Sequence, residues 1–335
     1  MTDTSFAEKL KIDITVLVTS IHQREIAIQT ANYYSEICSE VIFVDEQQPH
    51  LSESDISALK KKNITYIAYR NDNNDYIYQK RLIGAKQSNK EYVVHSNHDE
   101  RYTFNGLLAC VKEFEKDKKL TFCAGQAIAI RKDNSEIYYT RSYKNLNGYQ
   151  NTREVNERLY YHAEMYAPIA HYAVWKKESY VKTTETTILV HDKIPTKTIL
   201  DEVIFELAAD FSGCSKAISE LYWVRNRINK PFGIQDEEKQ NIFEITKNKL
   251  NIMLKDLDNV QLNVIINNLL NSLPSFRSKS FLEKSIILIK LRMPNIIKKN
   301  TKRIEGVDDI YTLLNYNKIK YEKNDLNNLL NSMSL

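Results

Sequence analysis

Short apolar runs alternate with helical stretches along the first hundred residues of the chain. The strand-like runs are rich in β-branched residues and lie at 14–19, 40–45, 64–69 and 92–95. Helical segments separate them at 24–37, 52–62 and 76–88. Uncharged β-branched runs are typical of buried parallel strands, and this alternation is typical of doubly wound α/β folds. We therefore predict a mostly parallel sheet flanked by helices.

The pattern changes after an amphipathic helix predicted at 104–117. Further strand-like runs lie at 121–129, 136–140, 171–175 and 219–224, and a helix is predicted at 199–211. From about residue 235 the chain is rich in Asn, Lys, Ile and Leu, and we predict helices to its end, broken at Pro274 and Pro294. The sequence thus predicts two parts: an α/β domain over 1–234 and a helical region over 235–335.

Ligands of doubly wound sheets bind beyond the carboxyl ends of the strands. The candidate segments are therefore the ones that follow each strand: 19–24, 45–46, 70–72 and 96–101. None of these segments contains a GxGxxG or GxxxxGK[ST] pattern. This disfavours a dinucleotide-binding dehydrogenase and a P-loop enzyme.

The tripeptide Asn97-His98-Asp99 follows the fourth predicted strand and carries the sharpest chemical signal. Carboxylate oxygens are natural ligands of Mg²⁺ or Mn²⁺, and such an ion can neutralise a leaving diphosphate. The alternative is a solvated loop in which Asp99 caps the helix that follows. A zinc site at the two histidines, His95 and His98, is disfavoured because no third ligand has suitable spacing.

The order of these motifs resembles the GT-A glycosyltransferases, and most of all the family-2-like enzymes of bacterial surface polysaccharide synthesis. The likeness covers roughly residues 12–230. It consists of a strand followed by Thr-Ser-Ile-His-Gln-Arg, a strand ending in Val-Asp, a helix with Lys80-Arg81 and Gly84-Ala85, and Glu91-Tyr92-Val93-Val94 before the tripeptide. It implies a nucleotide-sugar half at about 12–130 and an acceptor half at about 131–234.

The resemblance also implies roles for individual residues. Asn97, His98 and Asp99 occupy the family's Asp-x-Asp motif, with Asp99 as the ligand of a divalent cation, Mn²⁺ or Mg²⁺. Asn97 adds no charge, so strict metal dependence is not implied. The remaining residues expected to bind the nucleotide sugar are Thr19, His22, Arg24, Asp45, Lys80 and Arg81. A turn residue or helix cap at Asp45 and a solvated helix face at Lys80 and Arg81 are the structural alternatives.

Inverting GT-A enzymes place an acid at a helix start on the acceptor side, where it deprotonates the acceptor hydroxyl. Asp201 and Glu202 resemble that acidic pair, and the sequence does not choose between them. The alternative is that the helix dipole favours acids at this position. Glu157-Arg158 is a second candidate, and Arg225 and Arg227 are either phosphate-binding residues or surface cations.

Composition and charge bear on the partners and the cellular location that we expect for the protein. The net charge of +4 over 335 residues does not call for nucleic acid as a partner, and four widely spaced cysteines form no metal or disulfide pattern. No secretory signal precedes the first strand, so we expect a cytoplasmic protein. A basic amphipathic segment at 277–303 indicates either peripheral contact with the inner face of the plasma membrane or a helix packed on the domain.

The function predicted is transfer of a sugar from a nucleotide-sugar donor to a glycan or lipid-linked acceptor, in capsule, lipopolysaccharide or related synthesis. An aromatic-rich stretch at 138–175 suits an acceptor groove and suits core packing equally. A sugar nucleotidyltransferase is an alternative, although 19–24 lacks the expected glycine-rich loop. A non-catalytic glycan-binding or scaffold protein is the other alternative, which Asn97 keeps open.

Overall fold

The structure is a computed structural model. It describes residues 11–20, 23–70, 77–98, 100–133, 136–143, 146, 148–164, 169–193, 199–226 and 309–333. Its strands are β1 (Ile12–Ser20), β2 (Cys38–Asp45), β3 (Ile64–Ala68), β4 (Tyr92–Asn97), β5 (Glu100–Tyr102), β6 (Leu120–Asp133), β7 (Glu136–Ser142), β8 (Gln150–Asn151), β9 (Val174–Lys176) and β10 (Cys214–Asn226). Its helices are α1 (Arg24–Ile37), α2 (Glu53–Lys60), α3 (Ile77–Gln87), α4 (Phe104–Lys116), α5 (Val155–Glu164), α6 (Lys177–Lys193), α7 (Ile199–Ser212), α8 (Ile310–Tyr316) and α9 (Lys323–Ser332).

The described strands form one mixed sheet in the order β3-β2-β1-β4-β9-β6-β10-β5, with β7 added to β6 and β8 to β10. The first four predicted strands are parallel to one another, as expected. Strand β9 is antiparallel to β4 and β6, and it joins that parallel half to the parallel pair of β6 and β10. The predicted α/β architecture is confirmed, with antiparallel strands in its second half.

Close packing of α4 on β10 fixes the segment that follows the tripeptide. A Cβ atom added at Gly106 would lie 2.6 Å from the Cα of Tyr222 and 2.7 Å from the carbonyl oxygen of Leu221. Only glycine therefore lets the first turn of α4 meet the strand. Thr103 caps α4, because its Oγ1 accepts from the Gly106 N–H at 3.0 Å. The cap is thus Thr103 and not Asp99.

Helices α5 and α6 both pack against α7 and are absent from the sequence prediction. Helix α6 is rich in Thr, a β-branched residue of low helix propensity. Two of its buried threonines are satisfied within the helix: Thr184 Oγ1 donates to the Tyr180 carbonyl at 2.7 Å, and Thr187 Oγ1 to the Thr183 carbonyl at 2.9 Å. These local bonds allow polar residues to line the inner face of the helix, which hides the periodicity in the sequence.

The predicted strand at 171–175 is only partly correct. Ala170–Tyr172 forms a short 3₁₀ turn, and the strand itself is β9, at Val174–Lys176. Helix α7 begins at Ile199, as predicted, and Asp201 and Glu202 lie within its first turn.

The last described helices belong to the same hydrophobic core as the sheet. Leu314 on α8 and Leu329 on α9 are fully buried in the main core cluster. The Leu221 N–H donates to the Lys320 carbonyl at 2.6 Å, so the segment between the helices extends the edge of β10. The rest of the predicted helical region, 235–308, lies outside the described residues. Among the helices described, none is both long and apolar enough to cross a bilayer.

Candidate nucleotide-sugar site

Register between neighbouring strands brings the predicted donor residues to one edge of the sheet. In the β1–β2 pair Ser20 lies opposite Asp45, and in the β1–β4 pair Thr19 lies opposite Asn97. Adjacent strands are about 4.8 Å apart. The three strand ends therefore place Asp45, Thr19 and Asn97 side by side, where the carboxyl ends of parallel strands form a ligand-binding crevice.

Asp45 is fully buried and anchors the loops around this edge. Its Oδ2 accepts from Arg24 Nε at 2.7 Å and from the Tyr66 hydroxyl at 3.1 Å, and its Oδ1 accepts from the Gln47 N–H at 3.2 Å. Arg24 also donates to the Gln47 carbonyl. The helix that follows, α2, is capped by Ser52, so Asp45 is not its cap. The pair fixes Arg24 at the entrance to the site.

Lys80 and Arg81 are buried, so a solvated helix face is wrong for both. Lys80 Nζ lies 2.5 Å from Glu46 Oε2, next to Asp45. Arg81 Nη2 lies 2.9 Å from His171 Nε2, and its guanidinium stands 4.8 Å from the centre of the Tyr78 ring. Arg81 Nε has no hydrogen-bond partner among the described residues. A buried cation with a spare donor is suited to an anionic ligand.

Two buried histidines flank Arg81. The His95 Nε2 lies 3.0 Å from Thr19 Oγ1, and the rings of His95 and His171 are 6.3 Å apart. Burial, reinforced by the charge of Arg81, holds the pKa of both imidazoles well below the ordinary value. Because arginine only donates, His171 Nε2 accepts from Arg81, and Nδ1–H then donates to the Tyr78 hydroxyl at 3.3 Å. Both histidines are therefore neutral hydrogen-bonding groups.

The end of β4 is closed by an amide, a carboxylate and a guanidinium. Asn97 Nδ2 donates to Glu100 Oε2 at 3.1 Å, and Arg225 Nε donates to Glu100 Oε1 at 2.8 Å. Arg225 also donates to the hydroxyls of Tyr172, at 3.0 Å, and Tyr143. Arg225 is only 8% exposed, so it is not an ordinary surface cation. Although burial opposes its charge, Tyr172 and Glu100 raise the pKa of Arg225.

Tyr143 reaches Arg225 from an unusual backbone conformation. Its φ of 51° lies in the left-handed region, which non-glycine residues seldom occupy. The ring stacks on Trp223 with centroids 5.5 Å apart, and Tyr172 approaches the same indole at 3.7 Å. Such strain persists where the surrounding structure holds the residue in place. Much of the aromatic stretch at 138–175 thus packs in the interior and against Arg225.

The described residues of the motif do not fit a divalent cation by themselves. Asn97 offers one neutral carbonyl oxygen, and both oxygens of Glu100 are already engaged. Among the described residues, no group of three His, Cys, Asp or Glu side chains is arranged to hold a metal. Asp99, the predicted ligand, lies outside the described residues, and the backbone carbonyl of His98 accepts from Thr30 Oγ1 at 2.8 Å. His22 and Arg227 also lie outside them.

The candidate base Glu202 lies on α7 and is half-buried. It is close enough to Arg225 for its charge to act on that guanidinium. Burial raises the pKa of Tyr172, and the negative charge of Glu202 adds to that shift. The side chain of Asp201 lies outside the described residues. The second predicted candidate is Glu157-Arg158, of which Glu157 is exposed on α5. Arg158 donates from Nε to the Asp210 carbonyl at 2.7 Å and from Nη1 to the Arg153 carbonyl at 2.6 Å. These backbone contacts make Arg158 a structural residue.

Several buried polar residues near the site were missed by the sequence analysis. They are His171, Glu206, His162 and Asp210, all with exposed fractions of 8% or less. Glu206 and Asp210 follow Glu202 at intervals of four residues, which places the three acids on one face of α7. This spacing was readable in the sequence, because an acid recurring on an otherwise apolar helix face indicates a buried polar network.

Comparisons with known proteins were made for the sequence and for the fold. The sequence matches no protein-family model and no curated protein. The fold resembles S. aureus TarS with a TM-score of 0.54 at 12% identity, over 84% of this chain and 46% of that chain. TarS residues 1–349 give a TM-score of 0.49 at 13% identity, over 84% and 76% of the two chains. The complex of that fragment with UDP-GlcNAc also gives 0.49, at 13% identity, over 78% and 72%.

At this identity the likeness concerns the fold alone, and it rests on the TarS comparison with a TM-score of 0.54. The chain spans a little under half of that TarS chain. The likeness confirms the GT-A fold predicted from the order of motifs. Because one fold carries many activities, function has to be argued from the site.

Proposed function

We propose that the chain is a glycosyltransferase that moves a sugar from a nucleotide-sugar donor to a glycan or lipid-linked acceptor. The observation that carries the proposal is the register that sets Asp45 beside Ser20 and Thr19 beside Asn97. Buried Lys80 and Arg81 lie on the helix that leads into β4. Polar groups for a nucleoside and cations for a diphosphate therefore meet at one strand edge of a GT-A fold.

In the proposed reaction, an acceptor hydroxyl oxygen attacks the anomeric carbon of the donor. The bond between that carbon and the diphosphate oxygen breaks, and the nucleoside diphosphate leaves with the electron pair. Glu202 or Asp201 takes the hydroxyl proton as general base. A single displacement of this kind inverts the anomeric centre, so inversion is part of the proposal.

We assign neutralisation of the leaving diphosphate to two cations, Lys80 and Arg81. Arg81 has an Nε donor without a partner among the described residues. On the nucleoside side the proposal assigns Asp45, Thr19, His22 and Arg24. At the motif it assigns Asn97, His98 and Asp99, and Mn²⁺ or Mg²⁺ at Asp99 remains a proposal because the described residues do not form its site. Retention of full activity by Asp99→Ala would exclude that metal role.

We place the activity in bacterial surface polysaccharide synthesis, with capsule and lipopolysaccharide as the first pathways to test. A lipid-linked acceptor would bring the enzyme to the inner face of the membrane, where the basic segment at 277–303 would meet anionic lipid. That segment lies outside the described residues. Sedimentation with anionic and neutral vesicles separates such contact from a helix packed on the domain, because only surface binding requires the anionic lipid.

A donor panel tests the proposed function directly. Purified protein is incubated with UDP-, GDP-, CMP- and dTDP-sugars, with and without Mn²⁺, and donor hydrolysis and transfer are measured. UDP-GlcNAc is tried first, because TarS residues 1–349 were crystallised with it. Glu202→Gln should lower turnover at least a hundredfold if Glu202 is the base. The control is Glu185→Gln, the same change at an exposed position on α6.

Absence of turnover and of nucleotide binding with every donor would refute the transferase. A non-catalytic glycan-binding protein is the second candidate, and one observation favours it: the Asn97 amide and Arg225 engage both oxygens of Glu100. Glycan binding without nucleotide binding would decide for this candidate. A nucleotidyltransferase would instead release pyrophosphate from a nucleoside triphosphate and a sugar phosphate.

A further inference from the structure

Three acids on one face of α7 run from the candidate base into the protein interior. Glu202 is half-buried, whereas Glu206 and Asp210 are both fully buried. A buried carboxyl group is costly unless hydrogen bonds satisfy it. The contacts of Glu206 show how its carboxyl group is used.

Glu206 holds the backbone of a neighbouring segment. Its Oε1 accepts from the His171 N–H at 2.7 Å, and its Oε2 accepts from the Ala170 N–H at 3.0 Å. These two N–H groups open the 3₁₀ turn Ala170–Tyr172, where they have no partner within the turn. A side chain of α7 thus caps a turn that belongs to another part of the chain.

Side chains of the capped turn contact two cations of the candidate site, Arg81 and Arg225. The His171 imidazole accepts from Arg81, on α3. The Tyr172 hydroxyl accepts from Arg225, on β10. Any shift of the turn would therefore move the partner of Arg81 and the partner of Arg225 together.

A second pair of groups supports Glu206 from behind. His162 Nδ1 lies 2.9 Å from Asp210 Oδ2, and His162 Nε2 lies 3.5 Å from Glu206 Oε2. Burial raises the pKa of Glu206 to about 8, although His162 and the two backbone N–H groups oppose the shift. Burial therefore favours the protonated form of the carboxyl group, whose Oε2 lies beside His162 Nε2.

We propose that Glu206 is a positioning residue of the donor site. Through the backbone of Ala170 and His171 it fixes the imidazole that orients Arg81 toward the diphosphate of the donor. The proposal rests on the proposed function, because it treats Arg81 as a diphosphate-binding residue. Glu206 itself does not touch the substrate.

Glu206→Gln is the test substitution, because it keeps the size of the side chain and only one acceptor oxygen. One of the two backbone N–H groups then faces an amide NH₂ group. We expect hydrogen exchange of the amides in 169–173 to become at least tenfold faster, measured by mass spectrometry on the ligand-free protein. Circular dichroism establishes that the variant is folded, and Glu185→Gln is the matched control.

A double-mutant cycle then tests whether Glu206 affects nucleotide binding through Arg81. UDP, GDP, CDP and dTDP are titrated by calorimetry, and the tightest of them is used throughout. We expect Glu206→Gln to weaken binding about tenfold, or about 1.4 kcal/mol. In the background of Arg81→Met, which removes the charge and keeps most of the volume, the same change should cost less than twofold.

Each outcome is decisive. Unchanged amide exchange in Glu206→Gln would show that the carboxyl group does not hold the turn, and would overturn the proposal without any ligand. Equal losses of affinity in the two backgrounds would overturn it as well, because a general loosening of the fold is additive with Arg81→Met. If the wild-type protein binds none of the four nucleoside diphosphates, the proposed function itself is refuted. That result is obtained from the wild type alone, before any variant is made.

Discussion

Removal of Arg225 tests whether the guanidinium holds the end of β4 in place. Arg225 and Glu100 are 8% and 2% exposed, and their closest atoms are 2.8 Å apart. Arg225→Gln removes the positive charge and leaves the Glu100 carboxylate buried beside the Asn97 amide. The strand end then contains a buried negative charge that has lost the Arg225 guanidinium.

The magnitude follows from this burial. Removing one partner of a buried ion pair typically costs about 3–5 kcal/mol, because the other charge stays buried without compensation. Replacing both partners costs much less, so Glu100→Gln/Arg225→Gln should be more stable than Arg225→Gln. For a domain of this size, each kcal/mol corresponds to about 2–4 °C in Tm. We expect Arg225→Gln to lower Tm by roughly 10 °C.

Urea unfolding of the wild type, both single variants and the double variant measures the coupling energy directly. The control is Lys86→Gln, because the Lys86–Glu185 pair is 2.7 Å apart and about half exposed. A surface pair of that kind contributes about 0–1 kcal/mol. A loss below 1 kcal/mol for Arg225→Gln, or additive losses for the two single variants, would refute the role given to this pair.

Three further outcomes follow from the structure. Glu206→Gln should flatten the pH dependence of stability between pH 4.5 and about 8, where the wild type loses stability with rising pH because Glu206 ionises in the unfolded chain while the buried carboxyl group keeps its proton; unfolding at pH 5.5, 7 and 8.5 measures this, and parallel curves would contradict it. Gly106→Ala should destabilise the protein although alanine favours helices by about 1 kcal/mol, since its Cβ would meet the Tyr222 backbone; Gly84→Ala, with contacts of 3.3 Å, should cost less. Asp325→Ala should cost about 1–2 kcal/mol, because it removes the acceptor of the Phe104 and Asn105 N–H groups at the start of α4; an unchanged Tm would contradict that.

The sequence predicts the first half of the fold well because local and tertiary signals agree there. The runs 14–19 and 92–95 are buried parallel strands, and their apolar, β-branched character reflects burial on both faces. In the second half of the domain, the local sequence pattern does not reveal the elements that the tertiary structure stabilises. Helix α6 contains buried threonines, two of them satisfied by its own carbonyls, so its inner face does not look apolar. The 3₁₀ turn Ala170–Tyr172 is held by Glu206, 35 residues away in sequence from His171, which no local pattern indicates.

The same distinction applies to the candidate site. The strand ends at Asp45 and Asn97 were predictable, because the order of strands decides which residues reach the edge. The partners of those residues were not. Arg225 lies 125 positions from Glu100 in sequence, and only the antiparallel pairing of β5 with β10 brings them together. Long-range pairs of this kind are fixed by topology and leave no periodic trace.

Asn97 and Arg225 together explain how a neutral residue fits where the resemblance implies an acid. The Asn97 amide donates to Glu100 Oε2 at 3.1 Å, a distance at which two carboxylates would repel each other. A second acid at position 97 would leave the strand end with an excess negative charge that calls for a cation. With Asn97, the charge of Glu100 is paired with the Arg225 guanidinium. The neutral side chain at position 97 is therefore matched to a protein cation, Arg225, at the neighbouring carboxylate.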